Sequence, residues 1–387
     1  MIRTWFLALL AAGFWLLSAY GSWRPPPLGL DAPAAQFSAA RADAVLGRIL
    51  GPQKPHPSGS PEAGAVRARI LQEFAALGVA ARTRTVVSCY SEPRGHTHPC
   101  GAVTNIIADV SSGSGKQVLL MAHSDSVAAG PGAADDGSGV AIILESIRAL
   151  KARGLTRGLT GHNPIVALIT DGEEKGLLGA AAYIRDPLAR AKTGVVINVE
   201  ARGNQGPSYL FQTSPGNAPL IDLYARAVAH PATSSLYGEI YKILPNDTDL
   251  TPMLRAGLMG VNFAFIGNVA QYHTARDRRE NLSAASLQHQ GESVLAMADA
   301  LAHADFATLK GGDAIYLDVL GRWLPRLPVG WALPLSLAAL ALVMLAGFLT
   351  PRARREFPQP VTVLLMPLLL LLGAAGAGFV LHGLAAW

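Results

Sequence analysis

Charge is scarce in this sequence, and internal repeats are absent from it. Only 15% of the 387 residues are charged and 50% are hydrophobic, which excludes a disordered chain and is too apolar for an ordinary soluble enzyme. No low-complexity or collagen-like period is present, and the middle of the chain is too charged for a bundle of membrane helices throughout. The length suits one large domain, or two, with membrane segments attached.

The formal net charge of +5 does not indicate a nucleic-acid partner. Five arginines flank apolar segments instead of forming a basic face: Arg3, Arg24, Arg352, Arg354 and Arg355. Without them and the neighbouring Glu356, the rest of the chain is close to neutral. Because this placement is typical of membrane-topology signals, we predict no nucleic-acid partner and expect a lipid bilayer as one partner.

Three apolar runs, at residues 5–20, 329–349 and 361–381, predict membrane-spanning segments. The loop between the last two carries three arginines, and such short loops are typically cytoplasmic. The main domain then lies outside, which predicts a multi-pass protein of the cell (inner) membrane whose main domain is extracytoplasmic, or periplasmic. A cleaved signal peptide is the alternative for the first run, and buried core helices are the alternative for the other two.

This organisation divides the chain into six segments. They are an N-terminal membrane anchor at 1–24, the main domain at 25–310, a linker at 311–328, a transmembrane helix at 329–350, a cytoplasmic arginine-rich loop at 351–360 and a transmembrane helix at 361–384. The two cysteines, Cys89 and Cys100, bracket a loop-like stretch of the main domain. A disulfide there would stabilise the loop by about 2–4 kcal/mol in an oxidising compartment, and two free thiols are the alternative.

Short apolar runs alternate with helical patterns in the main domain. The runs predict strands at 118–122, 165–170, 195–199, 209–212 and 261–265, and the periodic segments predict helices at 139–152, 176–184, 219–229 and 284–302. This alternation predicts an α/β fold with a doubly wound, mostly parallel central sheet flanked by helices. In such folds, ligands bind beyond the carboxyl ends of the strands.

Acidic and imidazole side chains follow these predicted strands. They are His123 and Asp125, then Glu173 and Glu174, then Glu200, and finally His273, while a separate Gly-rich loop carries Asp135 and Asp136. Each alone could be a structural polar residue, a turn or a solvated helix start. Gathered at one rim, the carboxylates would repel one another unless a cation neutralised them. Oxygen and imidazole ligands suit zinc, manganese or cobalt, and their even mixture favours zinc.

These motifs, in this order, resemble the di-zinc aminopeptidase family that includes aminopeptidase Y, bacterial leucyl aminopeptidases, glutamate carboxypeptidase and glutaminyl cyclase. The resemblance covers about residues 40–320 and is greatest to the membrane-tethered endoplasmic-reticulum and vacuolar branch. It implies two zinc ions per chain, bridged by Asp135. His123 and Glu200 would complete the ligands of one ion, and Glu174 and His273 those of the other.

The resemblance also implies the remaining roles. Glu173 would be the general base, and Asp125 would hold the free imidazole nitrogen of His123. Asp136 would not be a ligand, and the peptide bond between Asp135 and Asp136 would be cis. The implied enzyme is a membrane-anchored zinc metallopeptidase that hydrolyses the N-terminal bond of a peptide with a free N-terminus, through water or hydroxide at the di-zinc site.

Two other functions remain open at this stage. They are a glutaminyl-cyclase-like acyltransferase with a single zinc and a non-catalytic, receptor-like member of the fold. The sequence also departs from the expected pattern, because Glu200 stands where many soluble members have aspartate and Arg202 stands where a small, Gly-rich stretch is expected. Arg202 is a candidate for substrate contact, and Asp249 is expected to be an orienting or structural residue and not a metal ligand. Tyr272, beside His273, is expected either to donate a hydrogen bond to the tetrahedral intermediate or to have a packing role.

Overall fold

The computed structural model describes residues 24–90, 98–155 and 163–349, together with residues 12, 13, 15 and 20. The described chain divides into two compact units, the first ending at Leu327 and the second beginning at Pro328. The segments predicted at 351–360 and 361–384, and most of the anchor predicted at 1–24, lie outside the described residues.

A seven-stranded mixed sheet forms the centre of the first unit, in the order β1-β2-β4-β3-β5-β7-β6. Its strands are β1 Ala80–Cys89, β2 Cys100–Asp109, β3 Gln117–His123, β4 Ile165–Thr170, β5 Thr193–Ala201, β6 Gln205–Thr213 and β7 Met259–Gly267. Strands β4, β3, β5 and β7 are parallel, whereas β1, β2 and β6 add antiparallel edges. The prediction of a mostly parallel sheet is therefore right for the centre and wrong for the edges.

Helices cover both faces of this sheet. They are α1 Ala39–Leu50, α2 Pro61–Ala76, α3 Gly139–Ala152, α4 Leu178–Ile184, α5 Pro187–Lys192, α6 Ala218–Ala227, α7 Ser235–Tyr241, α8 Leu250–Arg255 and α9 Ala284–Ala302. The bounds predicted for α3 and α9 are confirmed. The hydroxyl of Ser60 accepts a hydrogen bond from the Ala63 N–H and caps α2, with Pro61 in the first turn.

Successive residues of the central strands point alternately into two hydrophobic cores, one on each face of the sheet. In β3, Val118 and Leu120 belong to the larger core, together with residues of α1, α3 and α9. Leu119 and Met121 belong to the smaller core on the other face, with residues of α4 and α8. Because successive strand residues point to opposite faces, a strand buried on both sides has the continuous apolar sequence that made it recognisable.

The β1–β2 hairpin carries the two cysteines. Cys89 and Cys100 are register partners and form a disulfide bond, so the structure favours the disulfide over two free thiols. The hairpin was absent from the sequence prediction because β1 is polar and largely exposed, which hides the apolar alternation expected of a half-buried strand.

The chain after α9 contains the short strands β8 Ala314–Tyr316 and β9 Arg326–Pro328, within the predicted linker. The second unit contains helix α10, Ala332–Leu349, where the sequence predicts a transmembrane helix at 329–350. Its leucines are largely exposed, as Leu333 and Leu342 illustrate. Within the part of the chain that the structure describes, no helix meets the length and hydropathy needed to cross a membrane.

Candidate metal centre

Parallel packing of the central strands brings the predicted site residues to one edge of the sheet. His123 is the last residue of β3, and Glu200 is the penultimate residue of β5. Glu173 and Glu174 follow the end of β4 by three and four positions, and His273 lies in the loop after β7. These strands are parallel neighbours, so their carboxyl ends open on the same crevice.

The carboxylate of Asp135 lies between two imidazoles. Its Oδ1 is 3.1 Å from Nε2 of His123, and its Oδ2 is 3.1 Å from Nε2 of His273. Each imidazole has a second carboxylate beside it. Glu200 Oε2 lies 3.8 Å from Nε2 of His123, and Glu174 Oε1 lies 3.1 Å from Nε2 of His273. The structure thus brings all five predicted ligands together, in two groups that share Asp135.

The two adjacent glutamates, Glu173 and Glu174, lie next to different imidazoles. Glu174 faces His273, whereas Oε2 of Glu173 lies 4.0 Å from Nε2 of His123. In the part of the chain that the structure describes, two sets of ligand atoms lie close enough to hold a metal ion. They are His123 with Asp135 and Glu174, and His123 with Asp136 and Glu200. Asp136 is less available than its neighbours because its carboxylate accepts the backbone N–H groups of His123 and Gly139, at 3.2 and 3.1 Å.

The peptide bond between Asp135 and Asp136 is cis, as the resemblance implies. It lies just before α3, in a turn whose Gly132 has a φ of 64°. This glycine has no room for a side chain, because a Cβ would lie 2.7 Å from the backbone oxygen of Asp135.

Asp125 is beside His123, but its contacts differ from the prediction. Nδ1 of His123 is 2.9 Å from the backbone oxygen of Asp125 and 3.8 Å from the nearest carboxylate oxygen. The carboxylate instead accepts the backbone N–H groups of Gly172, Glu173 and Glu174, at 2.8, 3.1 and 3.3 Å. Asp125 therefore orients the imidazole through its main chain and positions both glutamates through its side chain.

Burial and neighbouring charge control the titration of these groups. Burial raises the pKa of Glu200 to about 8 and that of Asp125 to about 7. The pKa of Asp135 is lowered to about 2, because hydrogen bonds from both imidazoles outweigh the effect of burial. Burial lowers the pKa of His273, but Asp135 and Glu174 raise it to about 9. The centre therefore needs positive charge to keep its carboxylates ionised.

Asp277 is a buried site residue that sequence reasoning missed. Its carboxylate accepts the backbone N–H groups of Ala134 and Asp135, at 2.7 and 3.2 Å. It fixes the main chain that carries the shared carboxylate. The one available signal was its place four residues after His273, but the neighbours Arg276 and Arg278 make that segment resemble a solvated loop.

Two amide side chains donate hydrogen bonds to Glu200. Nδ2 of Asn198 donates to Glu200 Oε1 at 3.2 Å and to Asn262 Oδ1 at 3.0 Å. Nε2 of Gln290 donates to the backbone oxygen of Glu200 at 2.8 Å. Asp249, predicted to orient other groups, accepts a hydrogen bond from the Thr170 hydroxyl at the end of β4.

A cavity of about 460 Å³ opens beside the centre. Asp135, Glu173 and Glu200 line it at the end next to the carboxylate–imidazole cluster. Most of the other wall is aromatic or aliphatic, including Tyr209, Phe211, Tyr237, Ile240, Tyr241, Leu244, Ile266 and Val269. Such a cavity can accept an apolar group of a ligand. The polar residues at the other end can then act on the neighbouring part of that ligand.

Tyr272 continues the wall next to His273. The two rings stack with their centroids 3.7 Å apart, and the Arg202 guanidinium lies 5.5 Å from the Tyr272 ring centroid. His273 itself has a φ of 57°, in the left-handed region that non-glycine residues seldom adopt. A strained residue held by stacking and by two carboxylates is typical of a functional site.

Fold and site together define an α/β protein with a carboxylate–imidazole cluster at the carboxyl edge of its sheet, an arrangement typical of metal-dependent hydrolases. Residues 105–298, half of the chain, match peptidase family M28. The chain belongs to this peptidase family, which confirms the predicted family and the prediction of a peptidase.

Curated relatives are similar in sequence to this chain. Endoplasmic reticulum metallopeptidase 1 of Homo sapiens is 32% identical over 235 residues, which are 58% of this chain and 26% of the relative. Vacuolar membrane protease of Lachancea thermotolerans is 32% identical over 211 residues, which are 53% of this chain and 21% of the relative. The chain thus spans about a quarter of the length of these relatives.

Solved structures share the fold. A zinc aminopeptidase from Bacillus subtilis has a TM-score of 0.54 and 15% identity, over 72% of this chain and 99% of that one. Porphyromonas gingivalis glutaminyl cyclase has a TM-score of 0.52 and 23% identity, over 68% and 98%. At these identities the likeness extends to the fold alone.

Proposed function

We propose that the protein is a zinc-dependent aminopeptidase that hydrolyses the N-terminal bond of peptides with a free N-terminus. The observation that carries the proposal is the carboxylate of Asp135, which presents one oxygen to each of two imidazoles. Each imidazole has its own further carboxylate, Glu200 or Glu174. A set of five nitrogen and oxygen donors divided in this way fits two zinc ions.

The hydrogen bonding of His123 supports a cation at this place. Nδ1 faces the backbone oxygen of Asp125, which can only accept, so Nδ1 carries a proton. In a neutral imidazole, Nε2 then presents a lone pair to the Asp135 carboxylate only 3.1 Å away. This contact is favourable with a metal ion between the two atoms, or with a second proton on the ring. Metal-binding histidines commonly have this arrangement.

Glu173 is the proposed general base. It lies in the cavity wall near His123, and burial raises its pKa well above the usual range. A carboxylate of raised pKa can take a proton from the attacking water and hold it until the leaving amine accepts it. The zinc ions, when bound, would supply Lewis acidity toward the water and the scissile carbonyl. The Asp125 carboxylate, which accepts a hydrogen bond from the backbone N–H of Glu173, would hold Glu173 in place.

Membrane attachment belongs to the same proposal. The catalytic domain at 25–310 would lie on the extracytoplasmic side, with the anchor at 1–24 and helices at 329–350 and 361–384 in the bilayer. The exposed apolar side chains of α10 and the names of the endoplasmic-reticulum and vacuolar-membrane relatives support it. The Cys89–Cys100 disulfide also supports an oxidising compartment.

Replacement of the base tests the proposed chemistry. The full chain is purified in detergent and loaded with zinc, its metal content is measured, and leucine release from leucyl peptides is followed. We expect two zinc ions per chain, and we expect Glu173→Gln to lower kcat by about 100-fold to 10,000-fold with metal content unchanged. Glu62→Gln, on α2 with a side chain that is 41% exposed, is the matched control. Unchanged turnover in Glu173→Gln, or cyclisation of N-terminal glutamine in place of peptide hydrolysis, would contradict the proposal.

A further inference from the structure

Arg202 occupies a fixed position beside the metal centre. It follows Ala201, the last residue of β5, and comes two residues after Glu200. Its backbone N–H donates to the backbone oxygen of Phe265 at 3.0 Å. The next residue, Gly203, packs so closely on β7 that a Cβ would lie 2.2 Å from the backbone oxygen of Gly267. The main chain that carries Arg202 therefore has little freedom.

The guanidinium of Arg202 is held over an aromatic ring and has no ionic partner among the described residues. It lies 5.5 Å from the centroid of Tyr272, which in turn stacks on His273. Across residues 24–90, 98–155 and 163–349, its side chain makes no hydrogen bond or ion pair. Asp247 also lines the cavity, but its carboxylate accepts a hydrogen bond from the Thr251 hydroxyl at 2.9 Å.

An unpaired guanidinium in a largely apolar cavity is suited to an anionic ligand. Its planar array of donors matches a carboxylate, with which it can form two parallel hydrogen bonds. The aromatic and aliphatic wall leaves an apolar place for the N-terminal side chain of a peptide. The Arg202 guanidinium, which lies over the Tyr272 ring, is then available to the second residue of the bound peptide.

We infer that Arg202 binds a carboxylate on the substrate residue that follows the scissile bond. This inference rests on the proposed aminopeptidase function and names its substrate class. The preferred substrates are dipeptides, whose second residue has a free α-carboxylate, or peptides with aspartate or glutamate in second position. Arg202 is thus a specificity-determining residue, and the small residue expected at this place could not supply the same contact.

Three substrates separate these sources of the carboxylate: Leu-Leu, Leu-Leu-amide and Leu-Glu-amide. The zinc-loaded full chain is expected to have a higher kcat/KM for at least one carboxylate substrate than for Leu-Leu-amide. Arg202→Gln should lower that value by about tenfold to 100-fold, the range for a lost hydrogen bond to a charged group. Turnover of Leu-Leu-amide should change less than threefold, which also shows that the variant is folded.

Two further variants complete the test. Arg202→Lys should give an intermediate loss, because lysine keeps the charge but not the paired donors. Arg226→Gln, on the exposed side of α6, should leave all three substrates unaffected. Dependence of Leu-Leu alone assigns the α-carboxylate, and dependence of Leu-Glu-amide assigns the side chain. An equal loss on all three substrates, or no loss on any, would overturn the inference. A zinc-loaded wild-type chain inactive on all three would contradict the proposed function itself and remove the inference with it.

Discussion

The two halves of the candidate metal centre are built differently, although Asp135 belongs to both. On one side, His123 and Glu200 lie at the ends of central strands, and their side chains are 1% and 8% exposed. On the other side, His273 and Glu174 lie in loops, and the His273 side chain is 36% exposed. The first half is therefore fixed by the sheet, whereas the second depends on two loops keeping their conformation.

The different burial of the two halves should affect folding stability most strongly. His123→Asn would remove one of the two imidazoles that hydrogen-bond the buried Asp135 carboxylate, and breaking a buried ion pair destabilises a protein by about 3–5 kcal/mol. His273→Asn should cost about 1 kcal/mol or less, because water reaches that side. Denaturant unfolding of the two metal-free variants measures both values. Equal losses would show that the two halves do not differ in the way described.

Zinc affinity should depend on Asp277, which holds the main chain of the shared carboxylate in place. Asp277→Asn would loosen the backbone N–H groups of Ala134 and Asp135, and loss of such supporting contacts typically weakens metal binding about 10-fold to 100-fold. Competition with a zinc chelator measures the change. Asp299→Asn, which removes a surface ion pair with Arg153, is the control. An affinity equal to that of the wild type would remove Asp277 from the machinery of the site.

A smaller effect is expected from pH. The pKa of Glu200 is raised to about 8, that of Asp125 to about 7 and that of His273 to about 9. A group whose pKa is raised by folding stabilises the protein at low pH and loses that contribution as pH rises through the folded value. The contribution of Asp135, with its lowered pKa, is complete above about pH 4 and stays constant.

The metal-free protein should therefore lose stability between about pH 5 and pH 9. Added zinc should raise Tm more at pH 8.5 than at pH 6, because its ligands must be deprotonated to bind. Thermal unfolding with and without chelator measures both trends. If the Tm of the metal-free chain rose steadily across this range, the account of the buried carboxylates would be wrong.

The sequence predicts the centre of this fold well and its edges poorly, for physical reasons. Strands β3 and β4 are buried on both faces, so their apolar runs mark them directly. Helix α9 has periodic apolar positions and a capping serine, Ser283, that mark its start. Strand β1 has neither signal, and its antiparallel pairing with β2 depends on partners that no local pattern encodes.

In the candidate site too, residues on or after the central strands were predictable, and residues that depend on distant contacts were not. His123, Glu174 and Glu200 were recognisable because each belongs to, or follows, a strand of the parallel centre. Asp277 contributes through contacts with residues more than 140 positions earlier in the chain, and its local sequence contains no trace of them. The role of the Asp125 carboxylate was likewise missed, since its true partners are backbone groups of the 172–174 loop.

We propose that the Asp135 carboxylate is shared between two metal ions, because one of its oxygens faces each imidazole. Anomalous diffraction at the zinc edge, from crystals of the zinc-loaded protein, tests it most directly. We predict two peaks about 3.5–4 Å apart, each about 2.0–2.2 Å from a different oxygen of Asp135, one beside His123 and the other beside His273. A single peak, or peaks that do not contact Asp135, would contradict the account.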